Sequence, residues 1–287
     1  MADIRKVKSI SKARPIREGA GVRLKRVFGN PQAAEMDPFL LMDHFKSNNE
    51  SDYIKGFPWH PHRGIETITY MLEGRVEHMD SLDNKGVIEA GDVQWMTAGS
   101  GIIHQEMPKG SAGGGMHGFQ LWANLPAKDK MMDPRYQEFK KSEIPEIKRY
   151  NGISIKIICG MIDGVSGPVQ DVVIDPQYLE VSMPANSEFN HMVPDGYTVF
   201  AYIVEGGGHF DTEENHTNIR PESLVLYERN GLIKIKAKDQ NLHFLLISGK
   251  PILEPIAWYG PIVMNTREEL EKAFEEYRNG NFLKHRS

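Results

Sequence analysis

The regular spacing of turn signals is the feature of this chain that most constrains its fold. Between residues 29 and 115, clusters of Gly, Pro, Asn and Asp recur at intervals of about 8–12 residues. The segments between them are short and rich in Val, Ile, Thr and aromatic residues, for example Thr67–Leu72 and Phe119–Ala123. Many short strands at this spacing indicate an all-β protein built as a sandwich or barrel.

The same pattern of short apolar segments between turns occurs in both halves of the chain. Thr198–Gly206 matches Glu66–Gly74 position by position, and the polar, proline-punctuated stretch 126–148 separates the two halves. An internal repeat of this kind indicates two copies of one structural unit. The chain has 287 residues, which is more than one compact core usually contains. The sequence therefore predicts two tandem β-barrels, with an N-terminal domain over residues 1–135 and a C-terminal domain over residues 136–287.

One helix is predicted, at the end of the chain over residues 266–279. Thr266 and Glu269 have the spacing of a capping box, in which the two side chains satisfy backbone N–H groups reciprocally. An apolar stripe at helical spacing follows, and Gly280 provides a stop. The stripe consists of Leu270, Ala273, Phe274 and Tyr277.

Composition excludes several classes of function. The net charge of −5 argues against a general affinity for nucleic acid, so no direct sequence-specific binding to nucleic acid is expected. No apolar stretch approaches the ~18 residues of a membrane span, and the first residues lack the apolar core of a secretory signal. The single cysteine, Cys159, excludes an internal disulfide and a multi-cysteine zinc site. We expect a monomer in the reducing cytoplasm, or in the nucleus of a eukaryote.

A basic strip, defined here as residues 1–26, carries a net positive charge although the whole chain is negatively charged. It contains nine Lys or Arg residues against two acidic ones, Asp3 and Glu18. Lysine-rich strand edges block unwanted strand pairing, so we interpret the strip as a solvated strand edge. Docking of a protein or nucleic acid is the alternative.

Two short segments contain the residues with metal-binding chemistry. His60 and His62 are two residues apart, and so are His104 and Glu106. Side chains at i and i+2 of a strand point to the same face, so each pair can reach one ion inside a barrel. One such pair alone is more often structural, but two pairs joined by a turn-rich hairpin favour a metal site. Imidazole nitrogen with carboxylate oxygen suits iron, manganese, nickel, copper or zinc.

These segments also carry a resemblance to a known family. HPHRGIETITYMLEG, from His60 to Gly74, is similar to the first cupin motif, and GDVQWMTAGSGIIHQEMP, from Gly91 to Pro108, resembles the second cupin motif as the pirin family has it. MDPFLLMDHF, GFQLWANLP and GPIVMNTREEL also resemble pirins. The likeness spans nearly the whole chain.

The resemblance implies a bicupin in which only the N-terminal barrel holds a metal, namely one non-haem ion, Fe(II) first, bound by His60, His62, His104 and Glu106. Glu66 is a ligand in other cupins but not in pirins, and Thr198 occupies its place in the second repeat. The implied activity is quercetin 2,3-dioxygenase, which opens the ring of a flavonol with dioxygen. Glu106 would then also be the base that takes the proton of the substrate.

Two other hypotheses stay open. In the first, the chain turns nothing over and acts as an iron-dependent regulator, either a transcriptional co-regulator or a modulator of a metabolic enzyme, with a protein partner at the basic strip or the second barrel. In the second, it is an isomerase or sugar-binding cupin, which the motifs match less closely.

Residues near the site are predicted to form its pocket. Six apolar or aromatic side chains are candidates for a flat, dry wall, and Gln120 is a candidate polar contact. The six are Phe45, Trp59, Trp95, Met96, Phe119 and Trp122. His44 is either at the pocket rim or structural, and His117 and His243 are expected to be structural. Three histidines in polar loops are interpreted as solvated, namely His191, His209 and His216.

Overall fold

The structure is a computed structural model that describes residues 3–211 and 218–285. His216 lies outside the described residues. Within them, the structure contains no helix that is long and apolar enough to span a membrane. The strands and α-helices are β1 Val7–Lys12, β2 Arg14–Glu18, β3 Val22–Phe28, α1 Ala33–Met36, β4 Phe39–Ser47, β5 Phe57–His62, β6 Ile65–Glu73, β7 Arg75–Asp80, β8 Lys85–Ile88, β9 Val93–Thr97, β10 Ile102–Lys109, β11 Met116–Asn124, β12 Arg135–Phe139, β13 Glu146–Lys148, β14 Ser154–Cys159, β15 Met161–Ile162, β16 Val165–Ser166, β17 Gln177–Met183, β18 Glu188–Met192, β19 Thr198–Glu205, β20 Gly208–His209, β21 Ser223–Tyr227, β22 Leu232–Ala237, β23 Leu242–Gly249, β24 Ala257–Tyr259, β25 Ile262–Met264 and α2 Arg267–Arg278.

The chain forms two compact units. The N-terminal segment of the chain belongs to the unit built from the second half, and the C-terminal segment belongs to the unit built from the first half. The first unit is Arg14–Lys141 with the residues from Ile252 onward, and the second unit is Ser142–Pro251 with the residues up to Ala13. The predicted division into 1–135 and 136–287 therefore differs from these units at both ends of the chain. The reason is long-range pairing, since β1 pairs with β21 some 200 residues later and no local pattern encodes that partner.

The first unit contains two large antiparallel sheets beside the hairpin of β24 and β25. One has seven strands in the order β12-β9-β6-β11-β4-β3-β2, and the other has four in the order β5-β10-β7-β8. Strand β10 shows strict alternation, with Ile102, His104, Glu106 and Pro108 buried and the residues between them half-buried. This period of two is that of a strand with one face directed into a core.

The second unit repeats the plan with an apolar interior. Its seven-stranded sheet has the order β1-β21-β19-β23-β17-β14-β13, and a three-stranded sheet has the order β18-β22-β20. Strand β19 lies between β21 and β23, as β6 lies between β9 and β11 in the first unit. The internal repeat that the sequence predicts is thus present in the strand order. Branched and aromatic side chains such as Val181, Ile203 and Phe244 fill this core.

The N-terminal segment is tied to the second unit by a buried cation. The Arg5 guanidinium is fully buried and donates to the carbonyl oxygens of Val193, Pro194, Tyr197 and Gly231 at 3.1–3.3 Å. A buried charge is tolerated when its donors are matched in this way. Four of the nine basic residues of the strip lie in β1 and β2, which are edge strands of their sheets, as predicted. Three others lie in the inner strand β3.

The stretch 126–148 is more structured than the sequence suggests. It contains β12, which pairs with β9, and β13, which pairs with β14. Both strands are short and mostly half-buried or exposed, so their polar composition does not show the alternation of a core strand.

The predicted C-terminal helix is confirmed as α2. Thr266 and Glu269 form the expected capping box, and Gly280 follows with a φ of 74°. Ala273 is buried in an apolar cluster with Phe282, and Leu270 and Phe274 pack against that cluster. The four-residue helix α1 was not predicted, because it is too short to show an amphipathic period.

Lys130 joins three parts of the first unit. Its ammonium group is buried and donates to the Gly64 carbonyl at 2.8 Å, Asn124 Oδ1 at 2.6 Å and the Val263 carbonyl at 3.1 Å. Three N–H donors thus meet three oxygen acceptors, and one acceptor belongs to β25 near the end of the chain. This contact holds the C-terminal segment to the first unit.

We predict that Lys130→Met lowers the free energy of unfolding of the first unit by roughly 3 kcal/mol, because it leaves buried oxygen acceptors without a donor. Urea unfolding followed by tryptophan fluorescence measures this loss. All four tryptophans (Trp59, Trp95, Trp122 and Trp258) lie in the first unit, so the signal reports on it.

The matched control is Lys128→Met, since the Lys128 side chain is 80% exposed. It is expected to change stability by no more than about 0.5 kcal/mol. Equal effects of the two substitutions would contradict the role of Lys130.

Candidate metal centre

Three histidines meet inside the first unit because two of its strands are neighbours. β5 and β10 pair antiparallel, and His104 lies opposite His60 in their register. Because i and i+2 residues of a strand share a face, His62 lies on the same side as His60. In the described part of the chain, these three residues form the one group of three or more His, Cys, Asp or Glu whose ligand atoms all lie within 4.8 Å of one another.

The three imidazoles approach through their Nε2 atoms. The distance from His60 Nε2 to His62 Nε2 is 3.1 Å, and that from His60 Nε2 to His104 Nε2 is 3.0 Å. His62 and His104 are almost fully buried, and His60 is half-buried. Burial lowers the pKa of all three imidazoles, so each favours its neutral form.

Outer hydrogen bonds indicate which nitrogen is protonated. His60 Nδ1 contacts the Pro58 carbonyl at 2.9 Å, and His62 Nδ1 contacts the Pro261 carbonyl at 3.0 Å. A carbonyl oxygen can only accept, so both Nδ1 atoms donate and both Nε2 atoms are bare in the neutral rings. Metal-binding histidines usually have such a partner for their second nitrogen.

This arrangement fits a metal ion. Two bare nitrogen acceptors at 3.1 Å repel each other unless a cation lies between them. A proton on His104 Nε2 could bridge to His60, but the contact between His60 and His62 would still lack one. Two nitrogens bound at about 2.1 Å to one ion and at right angles would lie about 3.0 Å apart, which is close to the observed spacing.

Glu106 is near this group but not within it. Its side chain is buried on the same face of β10 as His104, and Thr69 Oγ1 donates to its Oε1 at 3.4 Å. Burial raises the pKa of Glu106 to about 7, and hydrogen bonds from Thr69 and Gln120 oppose that shift. The register between β5 and β10 shifts between His104 and Glu106, so Glu106 lies opposite Phe57. The extra residue of this bulge lies in β5 before His60, so both i, i+2 pairs keep the regular geometry on which the sequence prediction relied.

A cavity of about 640 Å³ opens onto His60, His62 and Glu106. Trp122 and Trp258 line it with ring centroids 6.0 Å apart, and the Trp122 ring meets His62 edge-on at 5.0 Å. This volume is in the usual range of small-molecule sites. The cavity therefore places flat aromatic surfaces beside the imidazole group.

A row of polar side chains crosses the seven-stranded sheet toward this cavity. Gln94, Thr69, Gln120, Asp43 and Arg26 lie opposite one another on five successive strands. The Arg26 guanidinium donates to both oxygens of Asp43, at 2.9 and 2.8 Å. The paired cation thus has a fixed orientation at the cavity wall.

Some of the predicted pocket residues line the cavity and others do not. Phe45, Trp122 and Gln120 line the cavity. Trp59 does not, since its side chain is 48% exposed, and Trp95, Met96 and Phe119 are also absent from the lining, since they are buried in the core. Glu66 lies outside the imidazole group, and its buried carboxyl accepts a hydrogen bond from Thr97 Oγ1 at 2.7 Å.

One of the other histidine predictions is wrong. His191 is not solvated, because it is buried on β18 and contacts Gln177 Oε1. His209 is half-buried at the end of the short strand β20. His44 is buried, pairs with His117 through their Nε2 atoms at 2.9 Å, and does not line the cavity. His243 contacts Glu180 at 2.8 Å, as expected of a structural residue.

The chain end contributes to the cavity, which the sequence patterns did not predict. Trp258, Tyr259, Gly260 and Pro261 line the cavity, although they follow His62 by almost 200 residues. The sequence pattern of this segment is weak, because β24 and β25 form a hairpin whose two strands have only three residues each. Arg26 and Asp43 were also missed, and the alternation of β3 is the one pattern that could have placed Arg26 on the inner face.

The fold and this site together define the cupin class of β-barrel proteins, with an imidazole group in one of two barrels. The pirin family model matches residues 21–123, and the model of the pirin C-terminal cupin domain matches residues 178–283. The chain belongs to the pirin family.

Individual relatives match over the whole chain. The chain is similar to a pirin-like protein of Caulobacter vibrioides, with 43% identity over 97% of this chain and 99% of that protein. It is also similar to a Pseudomonas aeruginosa protein named "putative quercetin 2,3-dioxygenase", with 41% identity over 98% and 99%. A crystal structure of quercetin 2,3-dioxygenase from Acinetobacter baumannii superposes with a TM-score of 0.89 at 28% identity, over 98% of this chain and 99% of that one.

We predict that His104→Ala weakens metal binding by about 10- to 100-fold or more. Loss of a residue that only hydrogen-bonds to a metal ligand already has an effect of about that size. Anaerobic loading with Fe(II), followed by metal analysis of the desalted protein, measures this change.

His285→Ala is the control, because His285 is half-exposed and pairs with Asp133 at 2.9 Å. It should retain the metal content of the unmodified protein. Full metal content in His104→Ala would show that the imidazole group is not the binding site.

Proposed function

We propose that the protein is a metal-dependent dioxygenase that opens the ring of flavonols such as quercetin. The observation that carries this proposal is the opening of an aromatic-lined cavity of about 640 Å³ onto His60 and His62, two of the three convergent imidazoles. The proposed ligands of the metal are His60, His62, His104 and Glu106, and Fe(II) is the first candidate. Mn, Ni, Cu and Zn fit the same nitrogen and oxygen donors.

The cavity suits a flat polycyclic substrate. Trp122 and Trp258 present ring surfaces, and Phe45 and Phe57 add apolar walls. Aromatic rings pair favourably in offset or edge-on contacts, so several ring orientations of a flavonol gain from these walls. Few water molecules would then remain beside the reacting carbon atoms.

Polar groups at the same wall orient the substrate. Gln120 and the Arg26 guanidinium line the cavity, and Asp43 fixes the guanidinium through two hydrogen bonds. A flavonol carries hydroxyl and carbonyl oxygens that such donors can bind. This positioning reduces the entropic cost of bringing the reacting groups together.

We assign Glu106 the role of the base that accepts a proton from a substrate hydroxyl. It lines the cavity beside His60 and His62, and Thr69 and Gln120 hold its carboxyl group. The proposed ligands would hold a metal ion at this wall, and that ion would supply Lewis acidity for the resulting anion. The names of the relatives from Pseudomonas aeruginosa and Acinetobacter baumannii support this reaction.

A regulatory role without turnover is the second candidate. The basic strip favours it, because β1 and β2 present basic side chains on edge strands that a partner protein could contact. In that case the metal alters the protein surface and no substrate is consumed.

We predict that iron-loaded protein consumes dioxygen when quercetin is added and releases carbon monoxide, and that His104→Ala and Glu106→Ala do neither. An oxygen electrode measures the consumption of dioxygen, gas analysis measures the released carbon monoxide, and a pull-down from lysate runs beside them.

The control is again His285→Ala, which should turn quercetin over at the unmodified rate. Full turnover by His104→Ala or Glu106→Ala would contradict the proposed site. No turnover by the iron-loaded protein, together with a metal-dependent protein partner, would favour the regulatory role.

A further inference from the structure

A second, much smaller cavity also has Glu106 in its wall. Its volume is about 20 Å³, and most of its wall is apolar. A cavity of this size has room for one small molecule. Its lining comprises Val22, Phe45, Tyr53, Phe57, Thr69, Val76, Glu106, Pro108, Met116 and Gln120.

The polar atoms near this small cavity already have partners. The Tyr53 hydroxyl donates to the Gly114 carbonyl at 2.8 Å. Thr69 and Gln120 donate to the Glu106 carboxyl group. A water molecule needs two to four polar partners to be stable in a buried site, so the small cavity favours an apolar occupant.

The small cavity and the large one share a wall. Phe45, Phe57, Glu106 and Gln120 line both. Its other side belongs to the apolar core of the first unit, where Val22, Val76 and Met116 are buried in one cluster. A small molecule held there is thus separated from the substrate cavity by side chains alone.

We propose that the small cavity is a binding site for dioxygen, which it holds next to the substrate cavity. This inference rests on the proposed dioxygenase function. Dioxygen is apolar and diatomic, so it fits the size and the lining, whereas a flavonol does not. The site would raise the local concentration of dioxygen at the side of Glu106 and would not bind the aromatic substrate.

Xenon is the probe, since it binds dry apolar cavities. Crystals of the full chain pressurised with xenon should show a xenon atom between Val76 and Met116, and crystals of Met116→Phe should not. In iron-loaded Met116→Phe, the KM for dioxygen should rise several-fold while the KM for quercetin stays unchanged. Val76→Ile is a milder filling variant that should shift both readouts in the same direction if Met116→Phe does not fold.

Two exposed positions supply matched controls. Met79 is 41% exposed and Val87 is 37% exposed, so Met79→Phe and Val87→Ile make the same substitutions outside both cavities. They should leave xenon binding and both KM values unchanged.

The outcomes separate this inference from the proposed function. Quercetin turnover without xenon in the small cavity would overturn the inference alone, and so would bound xenon with an unchanged KM for dioxygen in both filling variants. No quercetin turnover by the iron-loaded protein would overturn the proposed function and, with it, the assignment to dioxygen.

Discussion

The close approach of His60 Nε2 and His62 Nε2 is the contact on which the site depends. Each ring donates its Nδ1 hydrogen to a carbonyl oxygen, so two bare nitrogens face each other at 3.1 Å inside a barrel. That contact costs free energy in the absence of a cation and becomes favourable around one. The protein thus holds the donor atoms close together before an ion arrives, in the manner of a preorganised site.

The end of the chain is part of this preorganisation. The Pro261 carbonyl orients the His62 ring, and Arg63, the next residue, donates to Glu276 Oε2 and to the Phe282 carbonyl at 2.7 Å each. The Lys130 ammonium adds a bond to the Val263 carbonyl. Buried polar contacts therefore connect the segment after residue 252 to the strand that carries two of the imidazoles. This explains why the compact unit around the site includes both Arg14–Lys141 and the chain end.

Local patterns predicted much of the fold and the centre of the site. Turn spacing gave the all-β class, the capping box gave α2, and the i, i+2 pairs brought His60, His62 and His104 together. Long-range features were not predictable, because no local period encodes them. The pairing of β1 with β21 and the entry of Trp258 into the cavity are the main examples. The bulge in β5 that sets Glu106 opposite Phe57 was not predictable either.

Anomalous X-ray diffraction from crystals of the metal-loaded protein, recorded at the absorption edge of the bound metal, tests the central claim most directly. The account predicts one anomalous peak among the Nε2 atoms of His60, His62 and His104, at about 2.1 Å from each nitrogen. A peak at another place in the protein would contradict it. So would three imidazoles turned away from one another with no peak between them.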